Sequence, residues 1–218
     1  MALFLFATSP EPRAVTPIVL GPGAALLPGF ALATEDAVLV SLARVIDASP
    51  LRNMETPGGH RMSVAMTNCG SLGWVSDRSG YRYVQADPAT GKTWPTMPEA
   101  FVLLATLAAE RAGYPGFIPN ACLLNRYEIG TKLNLHQDRN EGDFTKPIVS
   151  VSLGLPATFL FGGERRTDPV TKIQVQHGDV AVWGGQSRLR FHGVAPIKRG
   201  EHIRLGSVRY NITFRFAG

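Results

Sequence analysis

Two stretches of the chain repeat apolar residues at helical spacing. In residues 35–48 the apolar side chains recur at i, i+4, i+7 and i+8, and Pro50 ends the pattern. A second stretch begins after Thr96-Met-Pro-Glu99 and ends at Gly113. Because side chains three or four residues apart share one face of a helix, both stretches are predicted to be amphipathic helices.

After residue 120 the pattern changes to short apolar or alternating runs, separated by Gly, Pro and Asp. Such runs are typical of β-strands. Strands are predicted over residues 121–127, 131–138, 147–155, 158–161, 172–176, 179–183, 189–196 and 207–216. This many short strands indicates a sandwich or jelly roll. The predicted fold class is therefore mostly β with flanking helices (α+β).

The chain of 218 residues is longer than the usual ~150 of one domain but too short for two. One compact domain with three segments is therefore predicted. Residues 1–50 are expected to form an N-terminal extension and helix. Residues 51–95, which mix glycines, aromatics and arginines, resemble a lid. Residues 96–218 are expected to hold a helix and the β core.

Composition narrows the classes of partner. The formal net charge of +5 favours anionic partners, so nucleic acid is plausible. No apolar run approaches the ~18 residues that would span a bilayer, so no membrane association is expected. The two cysteines, Cys69 and Cys122, form neither a CxxC pair nor a disulfide framework, which favours a reducing cytoplasm.

The first candidate for chemistry is His136-Gln-Asp138 together with His192. On a strand, residues two apart point to the same side, about 6.5 to 7 Å apart, so one cation can bridge both side chains. His192 lies on a later predicted strand. Two imidazoles and one carboxylate occupy one face of an octahedral metal in non-haem Fe(II) oxygenases. Taken alone, a His-x-Asp pair is weak evidence for a metal site, and the alternative is a solvated turn.

The last predicted strand places Arg209, Asn211 and Arg215 on one face. Guanidinium groups bind carboxylates bidentately, so an inward pair would suit a dicarboxylic acid whose other end chelates a metal. Asn125 and Tyr127 share a face of the 121–127 strand and offer further hydrogen bonds. The alternatives are an edge strand with its polar face in water, and side chains that bond only to backbone.

Several motifs together resemble the AlkB family of alkylated-nucleic-acid repair dioxygenases, its bacterial members above all. These motifs are Asn125-Arg-Tyr127, His136-Gln-Asp138, Ser150-Val-Ser-Leu-Gly-Leu-Pro156, Phe161-Gly-Gly163, His177-Gly-Asp-Val180, Trp183-Gly-Gly185, His192-Gly193 and Arg209-Tyr-Asn-Ile-Thr-Phe-Arg215. The resemblance extends from about Met54 to Phe216, and the first 50 residues share it much less.

The resemblance implies a double-stranded β-helix, or jelly roll, that holds Fe(II) through His136, Asp138 and His192. It also implies 2-oxoglutarate and O2 as cosubstrates. The residues implied to bind 2-oxoglutarate are Asn125, Tyr127, Arg209, Asn211 and Arg215. Among these, Arg215 is expected on the distal carboxylate and Arg209 nearer the metal.

The implied reaction is oxidative demethylation of bases such as 1-methyladenine and 3-methylcytosine, releasing formaldehyde, succinate and CO2. The substrate is expected to be single- or double-stranded DNA, with RNA as a further candidate, and the enzyme a monomer with no obligate protein partner. The residues implied to contact substrate are Trp74, Tyr81, Tyr83, Asn140 and Arg166. Trp74 and His136 are expected on opposite faces of the base.

Asn140 departs from the bacterial pattern, which typically has an acidic residue at this position. An amide carries no charge and both donates and accepts, so we hypothesise a shifted base preference that admits methylated guanine. Candidate phosphate contacts are Arg61, Arg78, Arg82, Lys132, Arg139, Arg165, Arg166 and Arg188. Two alternatives stay open: a hydroxylase of a non-nucleic-acid substrate, and a catalytically silent nucleic-acid-binding module.

Overall fold

The computed structural model describes residues 16–218, so residues 1–15 of the predicted N-terminal extension lie outside it. The helices are α1 (Glu35–Ala48) and α2 (Glu99–Arg111). The strands are β1 (Ile18–Gly21), β2 (Ala24–Leu27), β3 (Arg52–Glu55), β4 (Arg61–Gly70), β5 (Gly73–Asp77), β6 (Gly80–Val84), β7 (Ala121–Tyr127), β8 (Leu133–His136), β9 (Ile148–Gly154), β10 (Ala157–Phe161), β11 (Thr171–Val175), β12 (Val180–Trp183), β13 (His192–Val194) and β14 (Arg209–Arg215). Within this part of the chain, no helix has the length and hydrophobicity to cross a membrane.

Two β-sheets face each other across the core. The larger sheet has eight strands in the order β1-β2-β12-β9-β14-β7-β4-β3, and the smaller has four in the order β11-β10-β13-β8. Phe159 of the small sheet packs against Trp183 of the large one, with ring centroids 5.7 Å apart. The predicted jelly roll with flanking helices is confirmed.

The two helices cover the outer face of the large sheet. Phe101 and Leu104 of α2 pack with Leu42 of α1 against Ile212 and Phe214 of β14. Because side chains alternate along a strand, this packing turns the polar residues of β14 toward the small sheet. β14 lies between β7 and β9 and pairs with both. Its polar face is therefore buried inside the jelly roll, and the edge-strand alternative is wrong.

Two of the predicted segments also contribute strands to the large sheet. The N-terminal segment is more than a lead-in, because β1 and β2 join the large sheet. The segment 51–95 is more than a lid, because β3 and β4 also belong to that sheet. β4 pairs with β7 and buries alternate side chains such as Val64, Met66 and Asn68. Only the β5–β6 hairpin, residues 73–84, forms a separate two-stranded sheet, and we call it the lid hairpin.

Candidate active site

Strands β8 and β13 bring the three predicted metal ligands together. His136 ends β8 and lies opposite His192, the first residue of β13. The Asp138 carboxylate lies between the two imidazoles, with Oδ1 3.8 Å from His136 Nε2 and Oδ2 3.7 Å from His192 Nε2. One ligand atom from each residue falls within 4.8 Å of the others. This nitrogen, nitrogen, oxygen set suits Fe(II) and leaves one face of the metal open.

The two imidazoles are oriented by backbone carbonyls. His136 Nδ1 lies 2.9 Å from the carbonyl oxygen of Asn134, and His192 Nδ1 lies 3.0 Å from that of Arg190. A carbonyl can only accept, so each Nδ1 carries the proton and each Nε2 is left as the free ligand atom. Such partners fix the tautomer and ring orientation of metal-binding histidines.

Burial and neighbouring charges keep His192 and Asp138 in their metal-binding protonation states. Burial, together with the nearby charge of His136, lowers the pKa of His192 to about 3, so its imidazole is neutral at neutral pH. Burial acts to raise the pKa of Asp138, but the charge of Arg215 and its hydrogen bonds to the carboxylate act against this effect. The pKa of Asp138 therefore falls well below its usual value. Neutral imidazole and ionised carboxylate are the forms that bind metals.

A cavity of about 830 Å³ opens above the triad, between the two sheets and the lid hairpin. All but one of the predicted site residues line it. These are Trp74, Tyr81, Asn125, Tyr127, His136, Asp138, Asn140, Arg166, His192, Arg209, Asn211 and Arg215. The topology thus collects residues from six strands and two loops around one space.

Arg209 lies at the buried end of the cavity. Its side chain donates from Nη2 to Ser152 Oγ at 3.1 Å, and its guanidinium carbon lies 4.9 Å from the Tyr127 ring centre. Within residues 16–218, its Nε and Nη1 have no hydrogen-bond partner, and neither has Asn125 Oδ1. Buried donors without partners are costly. The guanidinium is therefore suited to a carboxylate of a ligand held in the cavity.

Arg215, six residues along β14, binds the metal ligand itself. Its Nε and Nη2 donate to Asp138 Oδ2 at 2.9 and 2.7 Å. The predicted order of the two arginines is therefore wrong: Arg215 lies at the metal and Arg209 lies farther along the strand. Strand alternation places both on one face, but it does not say which end of the strand meets the triad.

Asn211, between the two arginines, is already fully bonded within the sheet. Its Nδ2 donates to Ser150 Oγ and to the Val151 carbonyl at 2.8 and 2.9 Å. Its Oδ1 accepts from the Thr213 hydroxyl at 2.9 Å. Asn211 therefore shapes the cavity wall through its contacts with β9.

An aromatic wall surrounds the triad. From the sequence, Trp183 is expected either in the core or in the pocket lining, whereas nothing there assigns Phe159 to the site. Phe159 and Trp183 both line the cavity, with ring centroids 6.2 and 4.9 Å from the His192 ring. In the sequence these residues are typical of strand cores, and no pattern distinguishes a core aromatic from one that lines a cavity. Their effect is to surround the metal ligands with apolar surface.

The lid hairpin holds two parallel aromatic rings at the cavity mouth. The centroids of Trp74 and Tyr81 are 5.6 Å apart, with an angle of 14° between the ring planes. Asn140 touches both residues: its Oδ1 lies 3.5 Å from Trp74 Nε1, and its Nδ2 lies 3.4 Å from the Tyr81 carbonyl. Both distances are at the outer limit of a hydrogen bond. The amide thus forms a weak polar link between the hairpin and the loop after β8.

Tyr83 was expected to contact substrate and Arg188 to contact phosphate, but both side chains bind other residues of the protein. The Tyr83 hydroxyl donates to Glu141 Oε1 at 2.7 Å, and Tyr83 is the predicted site residue that does not line the cavity. Arg188 is 2% exposed and donates to the backbone carbonyls of Asp138 and Lys146. Its predicted phosphate contact is therefore wrong. In loops, sequence alone does not separate buried charges from exposed ones.

Four exposed cationic residues line the cavity mouth: Arg61, Lys132, Arg139 and Arg166. The Arg166 side chain is the best fixed of them. Its Nη1 donates to the Leu135 carbonyl at 2.7 Å, and its guanidinium carbon lies 4.9 Å from the Phe191 ring centre. Positive charge is thus concentrated where a polyanion would approach the triad.

Comparison with known proteins agrees with this geometry. The model of the 2OG-Fe(II) oxygenase superfamily matches residues 23–215. The alpha-ketoglutarate-dependent dioxygenase AlkB of Salmonella typhimurium is 54% identical, over 91% of this chain and 92% of its own length. The chain belongs to the AlkB family. Fe(II), 2-oxoglutarate and O2 are accordingly its cofactor and cosubstrates.

More distant members of this family are also similar. ALKBH1C of Arabidopsis thaliana, a DNA N(6)-methyladenine demethylase, is 28% identical over 90% of this chain and 49% of its own length. The solved structure of OsALKBH1 has a TM-score of 0.78 and 29% identity, covering 92% of this chain and 99% of that one. The donor set of the triad and the partnerless atoms of Arg209 fit the two groups that the family binds.

Proposed function

We propose that this AlkB-family chain is an oxidative demethylase of alkylated nucleic-acid bases, acting on single- and double-stranded DNA with RNA as a further candidate. The observation that carries the proposal is the cavity, which unites the His-Asp-His triad with a stacked aromatic pair and a cationic mouth. The nucleic-acid activity named for its Arabidopsis relative supports the same substrate class.

The triad is proposed to hold the metal. His136, Asp138 and His192 bind Fe(II), which when bound supplies O2 activation at the expense of 2-oxoglutarate. The carbonyls of Asn134 and Arg190 keep the two Nε2 atoms aimed at the metal. Arg215 holds the Asp138 carboxylate in place between them.

Arg209 is proposed to bind the distal carboxylate of 2-oxoglutarate. Its partnerless Nε and Nη1 present the donors that a carboxylate accepts bidentately. Asn125 and Tyr127 lie on the neighbouring strand, directly opposite Asn211 and Arg209, and contribute polar atoms to the same wall. With its distal carboxylate on Arg209, 2-oxoglutarate would lie between Arg209 and the triad, and its other end would supply the chelating atoms to the metal.

The lid hairpin and the mouth are proposed to bind the methylated nucleotide. Trp74 and Tyr81 offer π-faces to an extruded base, and cationic bases such as 1-methyladenine and 3-methylcytosine gain extra attraction from such rings. These lesions block pairing, which lowers the cost of extrusion. Arg166 and its cationic neighbours receive the phosphates, while Asn140 meets the polar edge of the base.

The proposal also includes a monomer and a reducing cytoplasm. The buried, unbridged thiols of Cys69 and Cys122 support the reducing compartment. The experiment that tests the function measures formaldehyde from a single-stranded oligonucleotide containing 1-methyladenine. Release is expected only with Fe(II), 2-oxoglutarate and O2 all present. Succinate without formaldehyde would favour a non-nucleic-acid substrate, and neither product from iron-loaded protein would favour the silent binding module.

A further inference from the structure

A cluster of charges lies beside the metal site, and most of it, apart from Arg215, lies outside the cavity lining. Its centre is Glu141, which is 6% exposed. Glu141 Oε1 accepts the hydrogen bond from Tyr83 and lies 3.4 Å from Arg215 Nε. Glu141 Oε2 forms an ion pair with Arg188 Nη2 at 3.3 Å, without the alignment of a hydrogen bond. The Glu141 carboxylate therefore contacts two guanidinium groups and one phenol.

Both arginines of this cluster bind Asp138, but at different groups of that residue. Arg215 binds its carboxylate and Arg188 binds its backbone carbonyl. The two guanidiniums are almost fully buried, with side chains 7% and 3% exposed. Two carboxylates against two guanidiniums make a neutral group. Without Glu141, two buried cations would face the single carboxylate that must also bind the metal, a costly arrangement.

Tyr83 connects this cluster to the lid hairpin. It lies on β6, and its hydroxyl reaches a loop residue 58 positions away in the chain. Burial raises the pKa of Tyr83 well above its usual value, so the phenol acts as a donor. Among the described residues, the other side-chain links from the hairpin to this loop are the two long contacts of Asn140. The Tyr83–Glu141 bond is thus the short link between lid and metal-binding loop.

We propose that Glu141 is a positioning residue that couples docking of the lid hairpin to metal binding. Bound to Tyr83, it fixes Arg215 and Arg188, and these fix Asp138 between the two imidazoles. Coupling of this kind is reciprocal: a docked lid tightens metal binding, and a bound metal stabilises the docked lid. The inference rests on the metal site of the proposed function and is independent of the nucleic-acid substrate.

The test measures Mn(II) affinity by calorimetry with 2-oxoglutarate present, since Mn(II) occupies such sites without turning over. Removal of a residue that hydrogen-bonds to a metal ligand typically lowers metal affinity 10- to 100-fold. Glu141 acts on Asp138 through Arg215 and Arg188, so we expect Glu141→Gln to weaken Mn(II) binding by about tenfold, the lower end of that range. Tyr83→Phe, one contact farther away, should weaken it by about fivefold. Tyr81→Phe, the same change two residues along the hairpin, is the matched control and leaves Mn(II) affinity unchanged.

Hydrogen exchange of residues 73–84 gives a second readout that general destabilisation would not produce. Mn(II) is expected to slow exchange of the hairpin in the wild type and in Tyr81→Phe, and to leave it unchanged in Tyr83→Phe. Thermal melts establish that each variant folds, and if Glu141→Gln does not, Tyr83→Phe decides. Wild-type Mn(II) affinity together with wild-type protection in Tyr83→Phe overturns the inference. If the wild-type protein shows this coupling but does not demethylate the oligonucleotide, only the proposed function is refuted.

Discussion

The buried end of the cavity and its lid hairpin are built in different ways. Arg209 at the buried end is 2% exposed, and its strand pairs with neighbours on both sides. Tyr81 in the lid is 45% exposed, and its strand pairs with only one other. The buried end can hold a metal and a small cosubstrate in fixed geometry, because several strands determine each side chain. The hairpin is anchored through β5, which hydrogen-bonds to Asn68 and Glu55. Its other strand, β6, is more exposed at the cavity mouth, where a bulky polymer would enter and leave.

The largest effect is expected at the triad. His136→Ala removes one of the three metal ligands, so we expect demethylation to fall to background and Mn(II) binding to be lost. Formaldehyde release and calorimetry measure the two effects. Tyr81→Phe, a lid change outside the triad, serves as the metal-binding control. Full dealkylation by His136→Ala would overturn the metal assignment.

The next effect tests the buried end through its cosubstrate. Arg209→Gln removes one partner of a buried charge pair, a loss of about 2 to 5 kcal/mol. We expect the KM for 2-oxoglutarate to rise about a hundredfold, while Mn(II) affinity measured without 2-oxoglutarate stays close to wild type. Succinate formation at varied 2-oxoglutarate gives the KM. An unchanged KM for 2-oxoglutarate in Arg209→Gln would contradict the assignment of Arg209 to the distal carboxylate.

The lid is tested by removing one aromatic ring. Base stacking is worth about 1 to 3 kcal/mol per base, so Trp74→Ala should raise the KM for a 1-methyladenine oligonucleotide about tenfold. The KM for 2-oxoglutarate should not change, because Trp74 lies on the hairpin and makes no contact with Arg209. Trp74→Phe keeps a ring and should recover most of the binding. An equal rise for both substrates would contradict the division between lid and buried end.

The smallest effect is a change of preference at Asn140. Asn140→Asp adds a negative charge beside Trp74 and Tyr81, which favours cationic bases. Exposed charge pairs contribute about 0.2 to 1 kcal/mol, so selectivity for 1-methyladenine over methylated guanine should rise by no more than about fivefold. A panel of methylated oligonucleotides measures this ratio. Identical selectivity in the two proteins would refute the hypothesis.

The sequence was sufficient for the parts of the site that follow a strand period. The polar face of β14 follows from simple alternation. His136 and Asp138, two residues apart, do meet as predicted, although β8 ends at His136 and Asp138 lies in the loop that follows. What alternation cannot supply is direction, so the roles of Arg209 and Arg215 were exchanged. Assigning the two roles correctly requires the position of β8 relative to β14, and that position depends on how the two sheets pack.

Loop residues were the other limit. Glu141 and Arg188 are charged and surrounded by polar or glycine-rich sequence, and such residues are normally exposed. Glu141 and Arg188 can be buried because they pair with each other and because Arg188 binds Asp138. Such mutual dependence has no signature in a single sequence. Tyr83 was assigned to the lid, but its direction was missed for the same reason: its partner is 58 positions away.

The central claim is that one cavity joins cosubstrate oxidation at the buried end to demethylation under the lid. The most direct test measures formaldehyde and succinate in the same reaction with a 1-methyladenine oligonucleotide. The account predicts close to one formaldehyde per succinate, with both products absent from His136→Ala. Succinate formed at an undiminished rate with no formaldehyde would contradict it, because the buried end would then work on a substrate that is not a methylated base.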